Sequence, residues 1–374
     1  MAGIYIHIPF CKQACFYCDF HFSVNQKQKQ EMVDAIVKEL ILQKNYFEGE
    51  QIKTIYFGGG TPSILDITQI KSILSTIENN FSVTTSPEIT LEANPDDLYT
   101  EKAASLKQAG INRLSIGIQS FNEGFLKWMN RAHNAEQSLN AVAIAKAAGF
   151  DNITIDLIYG IPAPDHAIWR NDLEKAVSLG VNHISAYSLT IEPKTVFGRK
   201  LKKGELHVPS DQFALTQFEM LIEKLETNGF IHYEISNFGK ENYFSRHNTS
   251  YWLNHKYLGV GPSAHSYNSK QRQYNIASNG KYIAAITEGK IPSETEVLTV
   301  ANNANELLLT GLRTIWGIDV NQIYRFKGLN TDIFQKEMQQ YLDSGDLILN
   351  NSRLTISKKG KFIADRIISD LFFV

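Results

Sequence analysis

Along the first half of the chain, short apolar runs alternate with stretches whose apolar positions recur at helical spacing. The runs at residues 4–8, 54–57, 89–92, 113–118, 153–158 and 183–189 read as buried strands, too short for helices. Between them, residues 29–43, 68–80, 101–109, 135–148 and 168–179 read as helices. Three of these run into a glycine, Gly110, Gly149 and Gly180, which suits a left-handed C-terminal cap. Six strand–helix units of about 30 residues predict a parallel sheet. Eight would close a full barrel, so six predict an α/β fold built on an open, three-quarter (β/α) barrel.

The pattern changes after residue 209. Ser210 precedes a stretch with Phe213, Phe218, Leu221 and Leu225 at helical spacing, a helix with a serine N-cap. From residue 302, short helices lead to LILNNSRLTISKKG, which reads as a hairpin turning at 350–352. The expected division is a partial barrel at 1–209, a connecting segment at 210–300 and a smaller winged-helix-like domain at 301–374. Such wings often bind DNA, but this one lacks a basic excess, and docking or substrate cover is the expected role.

Composition narrows the class. Hydrophobic residues make up 43% and charged residues 20%, as in a globular protein with a large core. A formal charge of -2 argues against a polycationic nucleic-acid binder. No apolar run is long enough to span a bilayer. The opening MAGIYIHIPFC reads as a strand rather than a secretion signal, so a cytoplasmic location is expected.

The three cysteines, Cys11, Cys15 and Cys18, lie in one C-x3-C-x2-C segment. An odd number with no distant partner argues against a disulfide framework. Free thiols, a zinc site completed by His21 or His7, and an iron–sulfur cubane with one open iron are the three readings of this spacing, and the third fits best. Chemistry on a β/α barrel gathers at the C-terminal strand ends. The candidate motifs follow that rule: the cysteines follow the first strand, GGGTP (58–62) the second, Glu92 and Asn94 end the third in LEANPDD, Gln119 ends the fourth in SIGIQSF, Arg131 lies in the next loop in NRAH, and Asp156 lies in the fifth strand in IDLIYGIP. Glycines allow close backbone approach, or simply a tight turn. Glu92 suits an ammonium, Arg131 a carboxylate, and Gln119 with Asp156 a pair of hydroxyls. Together these match a zwitterionic amino acid joined to a ribose.

YIHIPFCKQACFYCDF with GGGTP resembles the radical S-adenosylmethionine (radical SAM) superfamily. LEANPDD, SIGIQSF, NRAH and IDLIYGIP narrow the resemblance to the group around oxygen-independent coproporphyrinogen III dehydrogenase. The resemblance implies a [4Fe–4S] cluster on Cys11, Cys15 and Cys18, with S-adenosylmethionine chelating the open iron and an electron donor for the cluster. Tyr5, Gly59, Gly60, Thr61, Glu92, Gln119, Arg131 and Asp156 match the family's positions around that cosubstrate.

Two departures separate the chain from the dehydrogenase. Phe20 stands where the dehydrogenase has a further cysteine, and the cluster motif begins at Tyr5, without the dehydrogenase's N-terminal extension. Both point to the related haem chaperones. HNTSYW (247–252) matches their H-N-x-x-Y-W motif, which implies haem binding by His247, with Tyr251 and Trp252 as ring surfaces. His255 and His265 are weaker choices of ligand. The implied function is haem binding and transfer to a haem-accepting protein; the rival is a radical SAM enzyme acting on a tetrapyrrole. A homodimer and peripheral membrane contact both stay open.

Overall fold

A computed structural model describes residues 2–373. The six predicted strands form and pair as parallel neighbours in chain order: β1 (Ala2–Ile8), β2 (Ile52–Gly59), β3 (Val83–Ala93), β4 (Arg113–Gln119), β5 (Asn152–Tyr159) and β6 (His183–Ser188). Connecting them are α1 (Lys29–Leu42), α2 (Ile67–Asn80), α3 (Thr100–Gln108), α4 (Glu123–Trp128), α5 (Ala135–Ala147) and α6 (Ala167–Ser178). Gly110, Gly149 and Gly180 end α3, α5 and α6 at φ +100°, +84° and +61°, the left-handed geometry expected of them.

Strand alternation sorts the side chains by chemistry. On β1, Ile4, Ile6 and Ile8 join Met32, Val33, Ile36 and Leu40 of α1 in the main core. Gly3, Tyr5 and His7 take the other face. That face is polar: residues from β2 to β6, among them Tyr56, Thr90, Arg113, Ser115, Thr154 and Ser185, line one internal cavity. Five strands can share a cavity only if the sheet curls around it.

The segment after α7 (Val196–Lys202) supplies both flanks of this sheet. It begins with α8 (Asp211–Thr227), capped by Ser210, whose hydroxyl accepts from the Phe213 amide at 3.3 Å. Then β7 (Ile231–Glu234) and β8 (Asn237–Gly239) extend the β6 edge, β8 running antiparallel to β6. After α9 (Arg246–Trp252), β9 (Lys256–Val260) pairs in parallel with β1 at the opposite edge. β10 (His265–Tyr267), β11 (Gln271–Asn275), α10 (Asn279–Thr287) and β12 (Ser293–Val297) continue outward to complete a 12-stranded sheet. Unpaired edges would expose rows of amides and carbonyls, and this segment covers both.

Glu39 of α1 locks the flank to the barrel. Its buried carboxylate accepts from the Gly261 amide (2.8 Å), Asn275 Nδ2 (2.8 Å), Tyr282 Oη (2.5 Å) and Gln43 Nε2 (3.0 Å). Those bonds compensate for burial, which by itself raises the carboxyl's pKa.

The last part has its own core, including Leu308, Leu312, Ile323, Phe334, Leu354 and Ile367. It comprises α11 (Val300–Leu312), β13 (Ile318–Asp319), α12 (Val320–Tyr324), α13 (Asp332–Asp343), the hairpin β14 (Leu347–Asn350) and β15 (Arg353–Ile356), and α14 (Ala364–Asp370). The hairpin turns through Asn351 at φ +56° and β13 pairs with β15, a winged-helix-like arrangement.

Candidate functional site

At the C-terminal strand ends lies a cavity of about 510 Å³. Cys11, Cys15, Cys18, Gly59, Gly60, Thr61, Glu92, Gln119, Arg131 and Asp156 all line it, so the structure gathers nearly all the mouth residues singled out in the sequence. Tyr5 sits lower, in the barrel interior against Tyr56.

The glycines serve tight packing. Gly59 has φ +104°, and a Cβ there would come within 2.6 Å of the His7 ring. At Gly60 a Cβ would meet the carbonyls of Phe10 (2.6 Å) and Ile8 (2.8 Å). The backbone can thus carry the cysteine loop directly over the end of β2. Gln119 is a non-glycine residue at φ +67°, where the β4–β5 register breaks. Such a conformation is strained and turns its side chain beside Arg131, against Gly117.

A hydrogen-bonded belt joins two of the thiols. Thr61 Oγ1 donates to Cys11 Sγ at 3.4 Å. Asn94 Nδ2 donates to Thr61 Oγ1 at 3.3 Å and its Oδ1 accepts from Arg131 Nη2 at 2.8 Å. Arg131 Nη1 reaches Cys15 Sγ at 3.2 Å, and Nη2 also donates to the Gly117 carbonyl at 2.8 Å. Arg131 Nε is buried without a partner, a donor left for a ligand. The linking role of Asn94 was not legible in the sequence, though the residue stands in LEANPDD.

Burial raises the Cys11 and Cys18 thiols to about 11 and about 12. Free, they stay protonated at neutral pH and are poor nucleophiles; binding a metal would release their protons. The zinc ligands once open to them are engaged elsewhere. His7 Nε2 bonds the His21 carbonyl at 2.9 Å, and His21 Nε2 bonds Asn279 Oδ1 at 2.7 Å. Among the described residues, no three His, Cys, Asp or Glu side chains could hold a single metal ion. Phe20, at the place of the dehydrogenase's extra cysteine, is 71% exposed.

Below the cysteines, two carboxyls line the wall. Burial, then the nearby Asp156, raises Glu92 to about 8 while Tyr56 Oη donates to it at 2.8 Å. Burial raises Asp156 to about 6, against hydrogen bonds from Ser185 and Ser115.

HNTSYW forms α9, far from the mouth along the strands. Its first amides are capped by Glu88, whose carboxylate accepts from Arg246 N (3.2 Å) and His247 N (3.0 Å). The His247 ring enters the lower barrel beside Gly3, 1% exposed. Its Nδ1 bonds Thr54 Oγ1 at 2.8 Å and its Nε2 bonds Tyr251 Oη at 2.6 Å. It stacks on Tyr56 with centroids 4.9 Å apart, and burial lowers its pKa to about 3. Trp252 faces the other way, under the Arg313 guanidinium at 5.4 Å.

Residues 5–173 match the radical SAM superfamily. The chain is 36% identical to the heme chaperone HemW of Lactococcus lactis, over 95% of this chain and 93% of that one. It is 34% identical to the heme chaperone HemW of Bacillus subtilis, over 98% of each. This chain belongs to the HemW family, within the radical SAM superfamily. The fold is that of the Escherichia coli coproporphyrinogen III oxidase HemN, a radical SAM enzyme, at a TM-score of 0.86 and 22% identity over 99% of this chain and 90% of that one. At that identity the likeness speaks for the fold alone.

Radical SAM membership implies a [4Fe–4S] cluster and S-adenosylmethionine. The residues present fit both: three thiols at one cavity, donors on two of them, and a buried guanidinium with a spare N–H. The HNTSYW segment is different. As placed, His247 has no free ring nitrogen and no open space beside it, so the geometry of α9 does not fit a bound haem. Among the described residues no helix is long and apolar enough to cross a membrane.

Proposed function

We propose that this protein is a haem chaperone: it carries a [4Fe–4S] cluster on Cys11, Cys15 and Cys18, holds S-adenosylmethionine against it, binds haem, and passes haem to an acceptor protein. Likeness to HemW relatives along nearly the whole chain carries this reading. The cluster, when bound, supplies a reducible iron with one open position. The chain's own residues do the placing. Glu92 takes the cosubstrate's ammonium, Arg131 its carboxylate, and Gln119 and Asp156 the ribose hydroxyls, while Gly59, Gly60 and Thr61 let the backbone approach it. Tyr5 supports this wall from below through Tyr56, stacked with centroids 6.1 Å apart. His247 is the proposed haem ligand, with Tyr251 as its neighbour and Trp252 as a further ring surface on α9, and ligation requires the histidine ring to leave its present seat.

The cytoplasm and an electron donor for the cluster complete the proposal. Haem transfer to candidate acceptors under anaerobic conditions, with and without the cluster, tests it. Transfer dependent on the protein is expected. Catalytic formation of vinyl products from coproporphyrinogen III, or failure to bind haem in an absorbance titration, would overturn it.

A further inference from the structure

We propose that Asn94 is a positioning residue for the cluster: its amide passes the fixed polarity of the Arg131 guanidinium on to Thr61, so that the Thr61 hydroxyl donates to Cys11 Sγ and raises the cluster's reduction potential. The proposal rests on the reading above, that Cys11, Cys15 and Cys18 hold a [4Fe–4S] cluster.

The direction of each bond follows from which group can donate. A guanidinium has donors only, so the oxygen of the Asn94 amide must face Arg131, whose Nη2 lies 2.8 Å from it. That turns Asn94 Nδ2 towards Thr61, whose Oγ1 accepts at 3.3 Å. An amide N–H cannot accept in return. The single hydroxyl proton of Thr61 is therefore left for its other neighbour, Cys11 Sγ at 3.4 Å. A sulfur bound to metal has lost its proton and can only accept. The relay thus supplies a donor where an iron-bound thiolate needs one.

Both ends of the relay are held from outside it. Thr61 is buried, and its backbone N–H donates to the Phe10 carbonyl at 2.7 Å. The backbone N–H of Asn94 donates to Ser63 Oγ at 3.3 Å, and its carbonyl accepts from the Asp97 amide at 3.0 Å. Lys12, next to Cys11, bonds Asp96 Oδ2 at 2.8 Å and ties this turn to the cysteine loop. Arg131 has anchors of its own in the Gly117 carbonyl and Cys15 Sγ. Removing the Asn94 amide therefore acts first on the bond from Thr61 to Cys11. A reduced cluster carries one more negative charge than an oxidised one, so a donor aimed at a ligating sulfur favours the reduced form.

The experiment uses the anaerobically reconstituted protein. A potentiometric titration is read by the paramagnetic resonance of the reduced cluster, with iron and sulfide assayed for cluster content. Asn94→Leu keeps the size and removes the amide. At a fixed potential, its ratio of reduced to oxidised cluster is expected to fall about tenfold, equivalent to about 59 mV for one electron. Thr61→Val removes the donor itself and should lower the ratio as much. The double variant should go no lower, because both changes act on one bond. A merely structural asparagine would lower cluster content and leave the potential alone. An unchanged potential in Asn94→Leu, or shifts that add in the double variant, would overturn the proposal while the cluster reading stands. Should Asn94→Leu assemble no cluster, Asn94→Asp decides: it keeps the bond to Arg131 but draws the Thr61 proton away from Cys11. The same fall is then expected, and an unchanged potential overturns the relay. If the unaltered protein assembles no cluster, the functional reading falls and the relay with it.

Discussion

At the mouth of the barrel, Cys11, Cys15 and Cys18 are half-buried around a cavity of about 510 Å³, and Arg131 keeps an unpartnered N–H. At the floor, His247 is 1% exposed and both its ring nitrogens are taken. The same strands build both ends. They differ because β/α connections leave the C-terminal ends to loops, whereas α9 fills the other end with His247 and Tyr251, whose side chains bond each other. The mouth carries a buried N–H without a partner on Arg131 and strained backbone at Gln119. At the floor His247 is close-packed and both its nitrogens are bonded, so its removal costs stability.

Substitutions should therefore separate the two ends. The largest effect is expected at the mouth: Cys15→Ser abolishes the visible absorbance of the reconstituted cluster, with iron and sulfide at background, while circular dichroism shows the barrel intact. At the floor, His247→Ala removes a stacked ring and leaves Thr54 and Tyr251 without their partner. It should destabilise the protein by about 3 kcal/mol, read from the denaturant midpoint at unchanged m-value, with cluster content preserved. Equal stability in this variant would erase the contrast drawn here.

The third effect is in pH. The Glu92 carboxyl is raised to about 8, first by burial and then by Asp156. Binding an ammonium requires it ionised, so below that value binding releases a proton. S-adenosylmethionine affinity should rise with pH, by about tenfold per unit well below 8, and level off above it. Calorimetry in buffers of different ionisation enthalpy reads the released proton directly. In the ligand-free protein the sign reverses. A carboxyl raised above its unfolded value of about 4.3 contributes stability that is full at low pH and lost as pH climbs towards 8. The smallest effect lies away from both ends: Ser210→Ala removes the cap of α8 and should cost about 1 kcal/mol with both ligands still bound.

The barrel strands and helices were legible because each is a local pattern: apolar alternation, helical spacing, and a glycine at the cap. The mouth was legible for the same reason: Cys11, Cys15 and Cys18 follow β1, Glu92 and Gln119 stand at the ends of β3 and β4, Arg131 lies in the loop after α4 and Asp156 in β5, and the order of these strands follows the chain. The flanks were not. β9 pairs with β1 across 254 residues, as Ala2 opposite Lys256, and nothing local in KYLGV names that partner. Nor could HNTSYW reveal that its histidine points into the barrel. Helix spacing places His247 and Tyr251 on one face, but only the packing of α9 against β1 and β2 says what that face meets.

The amino-acid sequence on its own determined the parallel strand–helix repeat, the three-thiol loop and the polar residues that surround it, because spacing along a strand or helix fixes which side chains share a face. The tertiary structure alone decided that residues 210–300 close both edges of the sheet, that Asn94 bridges Thr61 and Arg131, and that Tyr56 stands between His247 and Glu92. These relations join residues 33 to 254 positions apart, and they exist only once the sheet has curled and its inner faces confront one another.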